Sequence, residues 1–320
     1  QTQPTPVTIR GTGGGHKPQS FFRRLQTWIN LLDPTLLLSS DPEIQKAHTL
    51  IGSSKPQDKK DESALTLSLS SVHADSGAAL PLVFRPPAFL PIAAPLVVAS
   101  LLPQSSVKPA LFWQFLLQSY CAGFNHANRN SSTEQDKKAS LKQLLLIAGT
   151  ASYTSCAGAL PQIFINRLGI RSPAVQTFFR SLFPIPLSAA LAFFSVFTIR
   201  SEESETGIQV FDRNGNPVGI SKAAAEKAVR ETALSRAALF GTTAAVPNLL
   251  VLLLKRTRLF QRNSLLAAPF RHISVALVLG LMVPVSFSLF PQLGTIKREM
   301  LEEELQDRAA GGRLFYHRGL

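Results

Sequence analysis

One stretch of the chain carries regularly spaced polar side chains that could bind a small solute. Residues 109–128 contain no Asp, Glu, Lys or Arg, and their polar members recur at spacings of four, three, four and three: Gln114, Gln118, Cys121, Asn125 and Asn128. On a helix this spacing places all five side chains on one stripe. Amides are costly inside a membrane unless they face a partner or water, so the stripe could hydrogen-bond a zwitterionic solute. Arg129, at the end of the stripe, could meet the carboxylate of that solute.

The same stripe has a second interpretation. A helix that lies in the membrane interface would place these amides in water and would require no solute. Apolar side chains cover most of the remaining helix surface: Leu111, Trp113, Leu116, Leu117, Tyr120 and Phe124. Both interpretations make residues 109–128 a helix in contact with a membrane.

Other kinds of chemistry find no support in the sequence. The six histidines are scattered, and none has a second metal ligand three or four residues away, so we predict no metal site. The chain has no phosphate-binding loop, no dinucleotide fingerprint and no nucleophile-elbow serine. We therefore predict that the protein is not an enzyme and needs no cofactor.

The elements that must position the stripe are long apolar segments. Residues 273–296 form 24 consecutive positions without a formal charge, closed by Arg271 and His272 on one side and by Lys297 on the other. A helix needs about 20 apolar residues to cross a bilayer. Five further candidates follow the same pattern: 88–102, 109–128, 143–166, 181–199 and 237–254. The prediction is an all-α multi-pass membrane protein, a bundle of five or six spans, since the first candidate is short and the second amphipathic.

Composition agrees with a membrane protein that carries excess positive charge. Hydrophobic residues make up 45% of the chain and charged residues only 17%, with 33 Lys and Arg against 20 Asp and Glu. Basic charge beside membrane spans attracts anionic lipid headgroups, which we predict as partners. Nucleic acid is not predicted, because the basic residues are not interleaved with exposed aromatics and match no known module.

The remaining segments divide the chain into regions. We predict a disordered amino terminus (1–18), a helical amino-terminal region (19–84), a first group of spans (85–199), a loop with a hairpin and a charged helix (200–236), two last spans (237–296) and a polar tail (297–320). Within 19–84, an amphipathic helix ends near Asp33 and lies either on the membrane or on the protein itself. A second helix follows Asp41, and residues 52–62 are predicted to be a loop.

Prolines lie inside or beside nearly every apolar segment, for example Pro184, Pro247 and Pro284. They free backbone groups that lipid cannot satisfy, which favours broken helices around a polar cavity, as in secondary transporters. The alternative is that proline is simply commoner in membrane helices than in soluble ones. Small residues at helical spacing, such as Ala237 and Gly241, predict close helix packing.

Several short motifs in a fixed order resemble the sideroflexin family. They are Phe112-Trp113-Gln114 through Asn128-Arg129, His73-Ala-Asp75, the hairpin from Asp212 through Asn214 and Gly215, and Phe290-Pro291-Gln292. The likeness covers residues 19–320. It implies a multi-pass protein of the mitochondrial inner membrane that carries serine or a similar small neutral amino acid.

Within the family, the segments Phe84-Arg85-Pro86, 227–232 and 315–319 are most similar to the fourth paralogue. That branch is linked to assembly of respiratory complex I and to iron–sulfur homeostasis, so mitochondrial assembly proteins are a second class of expected partner. Three positions depart from the family pattern: Cys121 replaces an asparagine, Ala74 a proline, and Phe194–Phe197 an Asn-Ile-Pro segment. The sequence thus supports two hypotheses, an amino-acid carrier and a membrane assembly factor that does not transport.

Overall fold

The computed structural model describes residues 19–53, 59–130, 141–309 and 312–320 of the chain. In chain order its helices are α1 (Phe21–Leu31), α2 (Asp41–Ser53), α3 (Lys59–Ser71), α4 (Pro86–Leu101), α5 (Val107–Ala127), α6 (Leu141–Gly158), α7 (Leu160–Arg167), α8 (Pro173–Thr177), α9 (Pro184–Ile199), α10 (Ser201–Thr206), α11 (Lys222–Leu254), α12 (Arg258–Arg262), α13 (Ala267–Ser288) and α14 (Glu303–Gln306). A π-helical turn at Phe178–Leu182 joins α8 to α9. The predicted disordered segment 1–18 lies outside the described residues.

Six of these helices form a closed ring. Helix α4 packs against α5, α5 against α6, α6 against α9, α9 against α11, α11 against α13, and α13 again against α4. Small side chains allow the closest contact: a Cβ atom on Gly241 of α11 would lie 3.1 Å from the Ala189 Cβ of α9. Each of the six apolar segments identified in the sequence contributes a helix to this ring.

The number of membrane crossings is smaller, by length and apolarity, than the five or six predicted. Among the described residues, three helical segments are long and apolar enough to cross: Pro173–Ile199, Lys222–Leu254 and Ser264–Ser288. A fourth crossing results if α6 and α7, which meet at a bend of 46°, act as one span. Helix α4 is apolar but has only 16 residues, about 24 Å at 1.5 Å per residue. The polar stripe makes α5 less apolar than a typical span, so a count of five or six is not confirmed.

Two predicted spans differ in detail from the observed helices. The segment 143–166 is interrupted after Gly158, where Pro161 in the first turn of α7 supplies no backbone donor to continue α6. The segment 273–296 is helical only to Ser288, and its last residues belong to a strand. Apolar composition extends across that boundary, which is why the sequence alone placed the helix end too late.

A small antiparallel sheet lies next to the bundle. Its strands are β1 (Ile208–Phe211), β2 (Pro217–Ser221), β3 (Leu293–Lys297) and β4 (Arg313–His317), in the order β2-β1-β4-β3. The β1–β2 hairpin was predicted, but β3 and β4 were not, and β4 lies in the segment 297–320 that was predicted to be a polar tail. Ile296 and Tyr316 of these strands are buried against the first turns of α11, around Ala228.

The amino-terminal helices pack on the bundle. Ser20 caps α1 by accepting a hydrogen bond from the Arg23 backbone N–H, and the Trp28 ring lies 5.1 Å from the Phe287 ring of α13. This helix therefore packs on the protein itself, against one of the candidate spans. The predicted loop at 52–62 is wrong at both ends, since α2 continues to Ser53 and α3 begins at Lys59; residues 54–58 lie outside the described residues.

Candidate functional site

A cavity of about 100 Å³ lies inside the ring of helices. Its walls come from α4, α5, the junction of α6 and α7, the π-helical turn, α9 and α11. A water needs roughly 10–15 Å³ of such space, so the cavity has room for several waters or a solute of a few heavy atoms. Its polar lining consists of Ser100, Gln104, Gln114, Gln118, Cys121, Asn125, Gln162, Arg180, Ser188, Ser195 and Arg236.

Four members of the predicted stripe line this cavity. Gln118 Nε2 donates to Gln114 Oε1 at 3.3 Å, which fixes the two amides relative to each other one turn apart. Cys121 is buried as a free thiol, and Asn125, only 4% exposed, makes no side-chain hydrogen bond within the described part of the chain. The stripe therefore presents amide groups with unused hydrogen-bonding capacity to the cavity.

The last two predicted pathway residues lie elsewhere. Asn128 ends α5, and its Nδ2 donates to the backbone oxygens of Phe84 at 2.9 Å and Phe124 at 3.0 Å. Arg129 Nη1 donates to the His126 oxygen at 2.8 Å. Both follow the end of the helix at Ala127, so they close the helix terminus and do not line the cavity.

The cavity contains a buried cation that the sequence analysis missed. Arg236 is 3% exposed, and its Nη2 has no hydrogen-bond partner among the described residues. Its guanidinium lies over three aromatic rings, 4.5 Å from the centroid of Phe287, 5.5 Å from Phe124 and 5.8 Å from Phe89. A desolvated cation–π contact provides about 2 kcal/mol or more, so the three rings offset part of the several kcal/mol that burial of an unpaired charge costs. An anion in the cavity would offset the rest.

A sequence signal for Arg236 did exist. Arg236 shares one face of α11 with Thr232, Leu239 and Thr243, at spacings of three and four residues, and all four are buried. Because Arg236 comes just before the apolar segment 237–254, the sequence suggested a charged residue exposed at the end of a membrane span. In the structure the helix is continuous from Lys222 to Leu254, and Arg236 lies in its buried part.

The cavity is positively charged overall. Two arginines line it, Arg180 and Arg236, and no Asp or Glu does among the residues that the structure describes. The Ser195 hydroxyl is buried with no hydrogen-bond partner among the described residues, and it adds a neutral donor and acceptor on the α9 side. Such a site can bind a carboxylate at the arginine and polar groups of the same solute at the amides.

The predicted motif around His73 is structural. His73 Nδ1 accepts hydrogen bonds from the backbone N–H groups of Asp75 and Ser76, each at 3.3 Å. Its Nε2 therefore carries the proton and donates to the Arg129 oxygen at 2.6 Å. The motif ties the amino-terminal region to the end of α5 and lies outside the cavity.

The predicted hairpin motif is also structural. Asp212 Oδ1 accepts from the backbone N–H groups of Asn214 and Asn216, each at 2.8 Å. Gly215 has φ of +82°, a backbone conformation that suits glycine at a tight turn. These residues shape the β1–β2 turn and place no side chain in the cavity.

The Pro291 motif belongs to a buried polar cluster at the sheet end of the bundle. Arg318 donates from Nε to the Pro291 oxygen at 3.3 Å and from Nη1 to the Thr232 hydroxyl at 3.4 Å. Arg200 donates to Glu203 at 2.8 and 2.7 Å and to the Arg318 backbone oxygen at 2.7 Å. Burial lowers the pKa of Arg318 to about 10, which leaves it charged at neutral pH. This cluster fixes the carboxyl-terminal strand β4 to the helices.

Comparison with known proteins assigns the chain to a family. The model of the sideroflexins matches residues 15–320. Sideroflexin-4 of Danio rerio is 54% identical over 305 residues, covering 94% of this chain and 96% of that protein, and human Sideroflexin-4 is 37% identical over 308 residues, covering 94% and 89%. Human Sideroflexin-5 is 29% identical over 308 residues, covering 94% and 90%. No solved structure matches.

These matches extend over nearly the whole chain and confirm the resemblance seen in the short motifs. The greater identity to the two Sideroflexin-4 proteins agrees with the branch indicated by those motifs. Family membership also agrees with the apolar helices in indicating a multi-pass membrane protein and not an enzyme. The chain belongs to the sideroflexin family.

Proposed function

We propose that this protein carries a small neutral amino acid across the mitochondrial inner membrane. The observation that supports this most is the unpaired, buried Arg236 at a cavity that is also lined by Gln114, Gln118 and Asn125. A guanidinium recognises a carboxylate through charge-assisted hydrogen bonds, and amides can take up an ammonium or a hydroxyl group. An amino acid presents all of these groups within a few heavy atoms.

The aromatic rings around Arg236 have a defined role in this proposal. When the site is empty, Phe287, Phe124 and Phe89 stabilise the guanidinium through their π faces. When a carboxylate is bound, the free Nη2 gains a charged partner. The difference in stability between the two states supplies the binding free energy, while the apolar rings exclude water from the ion pair.

Transport also requires that the cavity open to each side in turn. Two irregular elements beside the cavity are suited to such movement: the 46° bend between α6 and α7, and the π-helical turn Phe178–Leu182. Interrupted helices around a binding site are typical of secondary transporters. The inner-membrane location is what the resemblance to the family implies, and the net charge of +13 is suited to anionic headgroups.

Uptake by the purified protein in liposomes tests the carrier directly. Radiolabelled serine, alanine and glycine are offered to wild type and to Asn125→Leu. Saturable uptake is expected for wild type, with KM raised about tenfold in the variant, since a lost hydrogen bond to a charged group costs roughly 1.5–3 kcal/mol. The control is Ser152→Leu on the exposed face of α6, which should transport normally. Absence of saturable uptake by wild type for all three solutes would refute the carrier.

One observation favours a second candidate, an assembly factor for respiratory complex I. The apolar thiol of Cys121 interrupts the row of amides in the cavity, while the sheet presents an open edge strand, β2, with Ile220 49% exposed. Unpaired strand edges accept a strand from another chain. In this proposal the protein binds partners through the sheet and transport is reduced or lost.

A rescue experiment in cells lacking the protein separates the two candidates. Removing the carboxyl-terminal residues from Leu314 onward would not be a useful test of partner binding. It would remove β4 with the buried side chains of Tyr316 and Arg318 and so disturb the fold. Arg236→Met and Ile220→Lys are compared instead, scored by complex I abundance. The assembly factor predicts rescue by Arg236→Met and failure of Ile220→Lys at normal protein levels. The opposite pattern supports the carrier.

A further inference from the structure

A second pocket, of about 220 Å³, adjoins the cavity, and both are lined by Pro103 and Arg180. Its charged lining is entirely positive among the described residues: Arg180, Lys255 and Arg271. Arg271 is 6% exposed, so this charge is largely withdrawn from water, whereas Lys255 is exposed. The pocket thus reaches from a buried cation to an exposed one.

The three cations have no counter-charge in the structure. Within the part of the chain that is described, none of them forms a salt bridge or a side-chain hydrogen bond. Arg180 and Arg271 are close enough to repel each other electrostatically, and the Nε of Arg180 is buried without a partner. An unpaired buried charge and a like-charge pair are both unfavourable, and one anion in the pocket would relieve both.

Arg180 lies between the two chambers on an irregular element. It belongs to the π-helical turn Phe178–Leu182, which closes with a hydrogen bond from the Phe183 N–H to the Phe178 oxygen at 2.9 Å. The next residue back, Phe179, lines the inner cavity. Single π-helical turns occur frequently at functional sites. A shift of this turn would move Arg180 from one chamber towards the other.

We propose that the pocket formed by Arg180, Lys255 and Arg271 is an outer binding site for the carboxylate of the transported solute, and that Arg180 hands this carboxylate on to Arg236. The inference rests on the proposed carrier function and extends it to the entry route. The solute first meets the exposed Lys255, then the buried Arg271 and the half-buried Arg180. It reaches the inner cavity without leaving a positively charged path.

An anionic lipid headgroup is the competing occupant, because cations near the ends of membrane helices attract such lipids. Two features favour the solute. The outer pocket shares a wall with the inner cavity, as a route of entry requires, and Arg271 and Ser181 in its lining are buried.

The test compares the rate of entry with equilibrium binding for one probe, radiolabelled serine. A triple variant, Arg180→Gln with Lys255→Gln and Arg271→Gln, is reconstituted in vesicles of phosphatidylcholine alone. Initial uptake at low serine concentration and low salt should fall about tenfold, and its dependence on ionic strength should become weaker, because the exposed charge of Lys255, which salt screens most effectively, is removed. Serine binding at equilibrium is measured on the detergent-purified double variant Lys255→Gln with Arg271→Gln, which leaves the lining of the inner cavity intact, and it should stay within about threefold of wild type. Arg180→Gln alone should give an intermediate rate.

The control is Lys222→Gln, which removes one exposed charge at the start of α11, outside both pockets, and should change neither quantity. Normal uptake by the triple variant in neutral vesicles would overturn the inference while leaving the carrier intact. A defect that appears only when anionic lipid is added would identify a headgroup site and also overturn it. Wild type without saturable uptake would refute the carrier itself, and the entry route with it.

Discussion

The Gln114 side chain lies directly against Gly158, so that a Cβ atom at Gly158 would collide with the Gln114 amide. The contact joins α5 to the end of α6 at the wall of the cavity. A larger residue here would have to push the end of the Gln114 side chain aside, and the bend that follows at α7 begins at the same place. The position of the first amide of the stripe therefore depends on a residue that makes no hydrogen bond to it.

Gly158→Ala tests this dependence without removing any polar group. The added methyl should displace Gln114 and break its contact with Gln118, weakening solute binding about tenfold, since overpacking typically costs 1–3 kcal/mol. The measurement is KM for amino-acid uptake in liposomes. Gly149→Ala on the same helix is the matched control, because nothing lies within 4 Å of its Cβ position. Equal effects of both substitutions would contradict the role of the contact.

The ion pair of Arg200 with Glu203 should dominate the stability of the sheet end. Glu203→Ala leaves the fully buried Arg200 unpaired and should cost about 3–5 kcal/mol, seen as a lower melting temperature of the purified protein. Glu205→Ala removes only a long, exposed contact with Lys142, at 3.9 Å, and should cost at most about 1 kcal/mol. Similar melting temperatures for the two variants would show that the buried cluster does not stabilise the fold.

The turn after β4 gives a prediction about close packing. Gly319 has φ of +75°, and a Cβ there would lie 3.0 Å from Arg200 Nη2. Gly312 has a similar φ of +73° with nothing within 4 Å of its Cβ position. Alanine at either position carries the backbone penalty of roughly 1–2 kcal/mol, but only Gly319→Ala also displaces Arg200. The melting temperature should therefore fall further in Gly319→Ala than in Gly312→Ala. Equal decreases in the two variants would show that Gly319 does not pack against Arg200.

His317 should make stability depend on pH. Burial lowers its pKa below the ordinary value of 6.5; nearby Asp75 acts in the opposite direction and His73 in the same direction. The unfolded state then binds a proton near pH 6.5 that the folded state does not, so stability decreases as pH falls below about 6.5. Melting temperature measured from pH 7.5 to pH 5 should drop in wild type and drop less in His317→Gln. Identical pH profiles would exclude His317 as a source of the effect.

The part of the cavity lining that lies on helix α5 could be predicted, because its residues are close together in the sequence. The spacing of Gln114, Gln118, Cys121 and Asn125 follows the helical period, and four of the six proposed pathway residues do line one cavity. Asn128 continues the same spacing and Arg129 follows it directly, but α5 ends at Ala127, and the exact end of a helix is poorly determined by spacing alone.

What the sequence did not reveal depends on distant contacts. Strand β3 pairs with β4 through partners such as Gly294 and Tyr316, which are far apart in the chain. Neither strand therefore has a signal in its own local sequence. The burial of Arg236 likewise depends on Phe89, Phe124 and Phe287 from other helices. From the sequence alone, a charged residue next to an apolar segment is expected to lie in solvent. Only the positions of the neighbouring helices show that Arg236 is buried.

Equilibrium binding of radiolabelled serine to purified Arg236→Met is the most direct test of the proposed anchor. Methionine fills similar space without charge, so the fold should be retained or stabilised, as judged by melting temperature. Arg230→Met, at an exposed position on the same helix, is the control and should bind as wild type does. The carrier account predicts that Arg236→Met weakens binding about 10- to 100-fold, the range expected for loss of a charge-assisted contact. Wild-type affinity in a folded Arg236→Met protein would contradict it.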